Sequence, residues 1–257
     1  MSTAPTAPDS TPETATPAAA TPVPGQLEKP QPDEARNVPV TSETLCVVTL
    51  PRSQQAEQFR VLRNSIQALN PDGASHTLVV TSALRGEGKS VATLNLAAAM
   101  TELPGQKVLV VDADLHHPSI EDHLGIPRRV GLADLLRGRA SLDTVVRTTA
   151  IPGVSVLGPG NLPGNPSELL GSDRMRTVLD RLRQSYSYVL IDTPAAAGVS
   201  DASLLGGMAD GILMVVRLGT TPRHFVQQTI NVLESLGGNV LGTCLTGAEE
   251  PDASQAL

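Results

Sequence analysis

Residues 83–90, with the sequence ALRGEGKS, constrain the fold of this chain more than any other stretch. They follow an apolar run at residues 78–82 and precede a helix-like run at residues 91–100. A strand, a glycine-containing turn that ends in Gly-Lys-Ser, and then a helix form the arrangement of a phosphate-binding P-loop. The free N–H groups and the positive dipole end of such a helix attract phosphate oxygens. The stretch therefore predicts a nucleoside triphosphate site on an α/β fold.

Each residue type in this loop suits a part of that site. Gly86 and Gly88 let the backbone curl around phosphate without Cβ clashes. Lys89 is expected to reach the β- and γ-phosphates, and the Ser90 hydroxyl to bind Mg²⁺. Ala83 stands where the strict pattern has glycine, so the loop alone leaves an ordinary strand-to-helix turn as an alternative. The predicted nucleotide-binding residues are Arg85, Gly86, Glu87, Gly88, Lys89, Ser90 and Val91.

Aspartates at the ends of two further apolar runs supply the rest of a phosphoryl-transfer site. Asp112 ends the run at residues 107–112 and is followed by Asp114, and Asp192 ends the run at residues 187–192. Ligands of parallel sheets bind outside the carboxyl ends of the strands, where the P-loop also lies. A lone aspartate after a strand is more often a helix cap or a turn residue. The set of three beside Lys89 and Ser90 predicts a Mg²⁺ site with few protein oxygens and several waters.

Apolar runs and helical patterns alternate through the rest of the chain. We predict strands at residues 45–50, 78–82, 107–112, 154–157, 187–191, 211–216 and 240–245. Helices are predicted at residues 53–69, 91–100, 131–136, 142–146, 172–183, 201–208 and 221–236, the last with Thr221 as N-cap and Pro222 as first residue. This alternation predicts a doubly wound α/β domain with a mostly parallel sheet.

Composition divides the chain into three parts. Residues 1–43 are rich in Pro, Thr and Ala and show no apolar periodicity, so we expect a disordered arm. A linker is the simpler function for this arm, and a Pro-rich segment that binds a partner is the alternative. Residues 44–247 are expected to form the P-loop domain, and residues 248–257 a short flexible tail. The net charge of −7 argues against a nucleic-acid-binding face.

Cysteine usage and hydropathy indicate a cytoplasmic protein. Cys46 and Cys244 lie in apolar runs without metal-ligand spacing, as buried thiols of a reduced compartment do. The sequence contains no apolar stretch long enough to span a bilayer and no signal-peptide pattern at its start. We therefore expect any membrane contact to come through a partner.

The order of the motifs resembles a known family. Seven motifs follow one another in the sequence: residues 57–63 (EQFRVLR), the P-loop, residues 111–114 (VDAD), 131–136, 165–170, 191–194 (IDTP) and 215–221. Together they resemble the cytoplasmic kinase domain of the bacterial tyrosine kinases of capsule and exopolysaccharide synthesis, over residues 44–247. The combination is specific, although no single motif is.

The resemblance implies an activity, cofactors and partners. It implies transfer of a phosphoryl group from ATP with Mg²⁺ to protein tyrosine, with Lys89 neutralising phosphate charge and Ser90, Asp114 and Asp192 binding the metal. Asp112 would be a general base or would orient the substrate. The resemblance further implies recruitment to the membrane by a chain-length regulator. It also implies a homo-oligomeric ring joined through Glu57, Arg60 and Arg63, for which a solvated helix face is the simpler alternative.

Several residues depart from the family pattern. Residues 248–257 contain no tyrosine, whereas the family carries a tyrosine-rich tail, and Tyr186 and Tyr188 are expected to be structural. His116 replaces a usual arginine and Arg85 a common proline. Thr246 stands in the place of an asparagine that often faces the base.

Two other functions compete with the kinase. The first is a positioning or partition ATPase of the MinD/ParA type, but those proteins carry a second lysine early in the P-loop, where this chain has Leu84, and often a basic amphipathic tail, which this sequence lacks. The missing tyrosine cluster favours a nucleotide-binding adaptor that controls polysaccharide chain length without phosphorylating tyrosine.

Overall fold

The computed structural model describes Met1 and residues 38–247. Strands within this part are β1 (His76–Ser82), β2 (Val108–Asp112), β3 (Val146–Thr148), β4 (Val154–Leu157), β5 (Tyr188–Asp192), β6 (Gly211–Arg217) and β7 (Val240–Thr246). Its longer helices are α2 (Gln54–Ala68), α3 (Lys89–Thr101), α8 (Asp173–Arg183) and α10 (Arg223–Ser235). Its short helices are α1 (Cys46–Thr49), α4 (Ile120–Leu124), α5 (Leu132–Leu136), α6 (Leu142–Val145), α7 (Pro166–Leu170) and α9 (Asp201–Gly206).

The seven strands of the described part form one sheet in the order β3-β4-β2-β5-β1-β6-β7. All neighbouring strands are parallel except β3 and β4, which are antiparallel. The register of β2 and β5 pairs Asp112 with Asp192, so the two aspartates lie side by side at the carboxyl edge. β1 lies next to β5 in the centre, which brings the P-loop to the same edge. The predicted doubly wound, mostly parallel α/β fold is confirmed.

The core lies on both faces of the sheet. On one face, Leu78 and Val80 of β1 pack with α1, α2 and α3. On the other face, Val79 packs with residues of α5, α8 and α9. Because both faces of the strands are buried, the strands read as continuous apolar runs rather than as alternating patterns.

One predicted strand is wrong. Residues 45–50 contain the helix α1, not a strand. The carboxamide oxygen of Asn95 in α3 accepts a hydrogen bond from the backbone N–H of Val47 at 3.0 Å, and its amide group donates to the carbonyl of Thr44 at 2.8 Å. Since a short apolar run suits a buried helix as well as a buried strand, this long-range contact decides the conformation.

Two predicted boundaries also change. Pro222, not Thr221, is the N-cap of α10, because the Thr221 hydroxyl donates to the side chain of Glu87 instead. Val38 and Val40 pack against the core, so the folded part begins no later than residue 38 rather than at residue 44. The rest of the predicted arm and the whole predicted tail lie outside the described residues. No helix among residues 38–247 combines the length and the apolar character needed to cross a membrane.

Candidate nucleotide and phosphoryl-transfer site

The loop between β1 and α3 has the backbone of an anion-binding turn. Gly86 and Gly88 adopt φ angles of +78° and +91°, which glycine reaches without Cβ strain. Gly88 is the N-cap of α3, and no side chain caps that helix end. The first N–H groups of this 13-residue helix therefore face the cavity at the sheet edge. Ala83, at the position of the missing glycine, is fully buried under the loop.

A cavity of about 450 Å³ opens above this loop. Six of the seven predicted nucleotide-binding residues line it, and Asp114 lines it from the β2 side. Its other walls are formed by His116, His117, Ser119, His123 and parts of residues 194–199. Two of the three predicted metal ligands, Ser90 of the P-loop and Asp114, therefore line one cavity.

The hydroxyl of Ser90 and the carboxylate of Asp192 are in direct contact. Ser90 Oγ donates to Asp192 Oδ2 at 2.5 Å, and Ser119 Oγ donates to Ser90 Oγ at 2.9 Å. Asp192 is fully buried, and its other oxygen, Oδ1, has no hydrogen-bond partner among the described residues. A buried oxygen without a partner normally costs stability, so it indicates a group that this site holds when it is loaded.

Asp112 and Asp114 have different surroundings. Asp112 is fully buried and accepts hydrogen bonds from the backbone N–H groups of Asp114, Ser119 and Ile120 at 3.0–3.2 Å. It therefore shapes the loop after β2 from behind the cavity wall. Asp114 accepts a hydrogen bond from the backbone N–H of His117 at 2.9 Å through Oδ1, and the residue lines the cavity.

Burial raises the pKa of both strand-end aspartates. Burial raises the pKa of Asp192 to about 7, although the Ser90 hydrogen bond and the nearby Lys89 charge act in the opposite direction. The pKa of Asp112 is raised by burial and then by the neighbouring charge of Asp192, against the hydrogen bond from Ile120. A cation placed between these carboxylates would lower both values, because it favours their charged forms.

Glu87 does not line the cavity, although we predicted it among the nucleotide-binding residues. Its carboxylate is turned under the loop and is 2% exposed. It accepts from the N–H of Leu84 at 2.6 Å, from the N–H of Arg217 at 3.0 Å, and from the Thr221 hydroxyl. Its side chain therefore braces the P-loop rather than facing the phosphates.

The wall opposite the P-loop contains a network that the sequence did not reveal. His116 Nε2 lies 3.1 Å from Oδ2 of the fully buried Asp201, whose other oxygen accepts from the Ser167 hydroxyl. These residues lie far apart in the sequence, on a loop, α9 and α7. His117, His123 and Ser119 were also missed, because no spacing in the sequence connects them with the P-loop.

The residues present fit Mg²⁺ and a nucleoside triphosphate. Mg²⁺ prefers hard oxygen ligands and is bound through one or two carboxylates, waters and substrate phosphates. Ser90, the unpartnered oxygen of Asp192, and Asp114 supply such oxygens. The described residues contain no cluster of three or more His, Cys, Asp or Glu side chains able to hold a metal alone.

The predicted interface motif lies on α2, where its arginines have partners within the chain. Arg60 binds Glu102 through two hydrogen bonds of 2.7 and 2.8 Å and contacts Glu57 at 3.2 Å. Arg63 donates to the carbonyl of Ala99 at 2.9 Å and to Glu102 at 3.2 Å. The motif thus joins α2 to the end of α3, while the Glu57 side chain stays 66% exposed.

Comparison with known proteins identifies the family. The AAA_31 family model, described as an AAA domain, matches residues 76–240. The chain is 33% identical over 200 residues to the tyrosine-protein kinase YwqD of Bacillus subtilis, covering 78% of this chain and 84% of YwqD. The chain belongs to the family of bacterial tyrosine-protein kinases. It is 36% identical over 193 residues to the putative tyrosine-protein kinase EpsB of Ralstonia nicotianae, covering 75% of this chain but only 26% of EpsB.

Solved structures agree with this assignment. The kinase domain of the Escherichia coli tyrosine kinase ETK superposes with a TM-score of 0.77 at 32% identity, covering 81% of this chain and 82% of that domain. The chimerical protein CapA2B2 gives 0.74 at 31%, covering 83% and 96%. The septum site-determining protein MinD of Pyrococcus horikoshii, complexed with Mg-ADP, gives 0.57 at 26%, covering 70% and 75%. The ETK kinase domain and CapA2B2 are thus more similar to this chain than MinD is.

Proposed function

We propose that this protein transfers the γ-phosphoryl group of Mg-ATP to tyrosine of a protein that takes part in capsule or exopolysaccharide synthesis. The observation that supports this most is the contact of Ser90 with Asp192 beside Lys89, at the edge of the sheet where α3 begins. In this contact a hydroxyl and a carboxylate meet near the positive charge of Lys89, a combination that suits Mg²⁺ and phosphate oxygens. Phosphoryl transfer depends mainly on such positioning and charge neutralisation.

The residues of the site take separate roles in this proposal. Lys89 and the N–H groups of the loop bind phosphate oxygens, while Ser90, Asp114 and Asp192 hold Mg²⁺, which neutralises phosphate charge when bound. Asp112 holds the backbone of residues 114–120 by its three accepted hydrogen bonds, so it positions Asp114 and the acceptor side of the cavity. The tyrosine hydroxyl enters from the wall formed by His116, His117 and residues 194–199.

The proposal includes partners. CapA2B2 is described as a chimerical protein, and this chain matches only about a quarter of EpsB. Both observations support a kinase domain that acts together with a second polypeptide or domain. We propose that a membrane chain-length regulator activates this protein and recruits it to the inner face of the membrane. The exposed Glu57 on α2 supports a homo-oligomeric ring assembled through this helix.

A phosphorylation assay tests the activity. The purified chain is incubated with labelled ATP, Mg²⁺ and a Glu–Tyr copolymer, with and without the cytoplasmic segment of a candidate membrane chain-length regulator. We expect phosphotyrosine in the wild type and a loss of at least about 100-fold in Lys89→Ala and Asp192→Ala. Lys107→Ala, which removes a lysine outside the cavity, serves as the matched control.

The other outcomes separate the competing functions. Phosphate release without phosphotyrosine, under both conditions, would replace the kinase by a switch ATPase. ATP binding with neither activity would leave the nucleotide-binding adaptor. Absence of ATP binding in the wild type would overturn the proposal as a whole.

A further inference from the structure

Glu87 connects three segments that are distant in the sequence. Its Oε2 accepts from the N–H of Leu84 within the P-loop at 2.6 Å. Its Oε1 accepts from the N–H of Arg217 at the end of β6 and from the hydroxyl of Thr221 before α10. Its backbone carbonyl accepts from the Thr246 hydroxyl at the end of β7 at 2.7 Å. A carboxylate that is 2% exposed and has three donors binds them more strongly than a neutral acceptor would.

The sheet order indicates on which side of the P-loop a nucleoside lies. Asp192 ends β5 and Asp114 follows β2. Both strands lie on one side of β1, so the metal and the γ-phosphate belong on that side. A triphosphate bound along the loop after β1 then directs its nucleoside to the opposite side, over the ends of β6 and β7. Residues 217–221 and Thr246 form that side, where Leu218 and Leu245 expose apolar surface.

We propose that Glu87 is a positioning residue that couples the phosphate-binding loop to the nucleoside-side segment, residues 217–221 with Thr246. The carboxylate holds this segment against the P-loop, so nucleoside and phosphates are bound as one unit and ATP is preferred over phosphate chains without a nucleoside. The proposal rests on the ATP site proposed above. A second contact supports the same coupling, since Arg217 Nη1 donates to the carbonyl of Gly86 at 3.4 Å.

Thr221 offers a way to break the coupling without touching the P-loop. Thr221→Val removes one donor to Glu87 and leaves the Leu84 bond in place. We expect ATP to bind about 10-fold more weakly, which is the effect of one hydrogen bond to a charged group. Mg-tripolyphosphate, which reaches only the P-loop, should keep its affinity to within about twofold. Thr221→Ser keeps the hydroxyl and should restore ATP binding.

Calorimetry measures the affinities for ATP and for Mg-tripolyphosphate, and two more variants control the experiment. Thr229→Val removes a buried hydroxyl from α10 that donates only to the carbonyl of Phe225, and it should change neither affinity. Glu87→Gln replaces an acceptor oxygen by an N–H donor, so one link is lost whichever way the amide turns. We expect ATP to bind at least about 10-fold more weakly to it.

The outcomes distinguish this proposal from the function on which it rests. Equal weakening of ATP and tripolyphosphate in Thr221→Val, or no weakening of either, overturns the coupling while the ATP site stands. Failure of Thr221→Ser to restore ATP binding overturns it too. Failure of the wild type to bind ATP overturns the proposed function itself.

Discussion

At the scale of single residues, the carboxyl group of Asp192 makes the stability of the ligand-free protein depend on pH. Burial raises its pKa in the folded state to about 7, whereas in the unfolded chain it ionises near pH 4. Between these values the unfolded chain releases a proton that the folded chain keeps. The stabilising contribution of the protonated Asp192 to the free energy of unfolding is therefore fully present below about pH 4, and it is lost as the pH rises to about 7.

We expect Asp192→Asn to remove much of this decrease, because an amide does not titrate. The difference between wild type and variant should change by roughly 2–4 kcal/mol from pH 4 to pH 7.5, as three units of pKa imply at most. Urea unfolding at several pH values, without Mg²⁺ or nucleotide, measures it. Asp112 contributes a decrease of the same sign, and Asp192→Asn also reduces that contribution, because the charge of Asp192 raises the pKa of Asp112; the difference therefore reports the two carboxyl groups together. Parallel curves would show that Asp192 is ionised in the folded protein.

One of the two left-handed glycines of the P-loop, Gly86, gives a second test at this scale. Gly86 has a φ of +78° and Gly73 one of +65°, and a Cβ at either position would meet no atom within 4 Å. Alanine at each should lower the free energy of unfolding by about 1–2 kcal/mol, because the left-handed region is strained for it. Only Gly86→Ala should weaken ATP binding, by about 10-fold or more, since only it reshapes the phosphate cradle. Calorimetry that shows equal weakening in Gly73→Ala would contradict this role.

Residue types and spacing were enough to predict part of the site. A glycine-containing turn that ends in Gly-Lys-Ser and aspartates at strand ends can be recognised from neighbouring residues alone. The structure brings Ser90 and Asp192 into contact as expected. The direction of the Glu87 side chain was not predictable, because two of its three donors, Arg217 and Thr221, lie about 130 residues away. The contact of His116 with Asp201 was hidden for the same reason.

At the scale of elements, Glu102 joins α2 to α3. It accepts three hydrogen bonds from Arg60 and Arg63, and the bond from Arg60 lowers its pKa most. Glu102→Ala should lower the free energy of unfolding by about 1–2 kcal/mol, reduced by the partial exposure of the pair. The contribution is present above the ordinary pKa of glutamate and should disappear as the pH falls below about 4. Urea unfolding at pH 7 and pH 3.5 measures both effects.

A more exposed ion pair provides the comparison for this prediction. Asp122 and Arg128 are 64% and 48% exposed, and Asp122→Ala should cost less than about 0.5 kcal/mol at pH 7. A loss of the same size in both variants would show that Glu102 does not tie the two helices together.

The elements themselves were predictable where their patterns are long. The predicted helix at residues 53–69 is α2, which begins after the Ser53 cap, and the predicted strand at residues 187–191 is β5 within one residue. The exception, α1, is four residues long, too short for a period to show. The side chain of Asn95, from another helix, fixes its conformation.

At the scale of the whole molecule, the fold class followed from the alternation of elements but the strand order did not. The sequence has β5 after β4, yet β5 pairs with β1 and β2 in the centre of the sheet. This insertion brings Asp192 between the P-loop and Asp112, and it depends on contacts of high sequence separation. The phosphoryl-transfer site is therefore a property of the assembled sheet rather than of any one motif.

The proposed ring makes a prediction about the assembled protein. Glu57 is 66% exposed and contacts Arg60 alone in its ion pair, so Glu57→Ala should change the free energy of unfolding by less than about 0.5 kcal/mol. If α2 forms the subunit interface, the same substitution should convert the oligomer to monomers. Light scattering after size-exclusion chromatography with Mg-ATP measures the mass. Arg63 is unsuitable for this test, because it is nearly buried against α3 and its loss would also weaken the fold.

A glutamate on another helix controls for the loss of surface charge. Glu234→Ala changes an exposed glutamate of α10 and should leave the mass of the oligomer unchanged. An oligomer of unchanged mass in Glu57→Ala would exclude α2 as its interface. A wild type that stays monomeric in the presence of Mg-ATP and the cytoplasmic segment of the membrane regulator would exclude the ring itself. Because the variant folds as the wild type does in either case, the mass alone decides where the subunits meet.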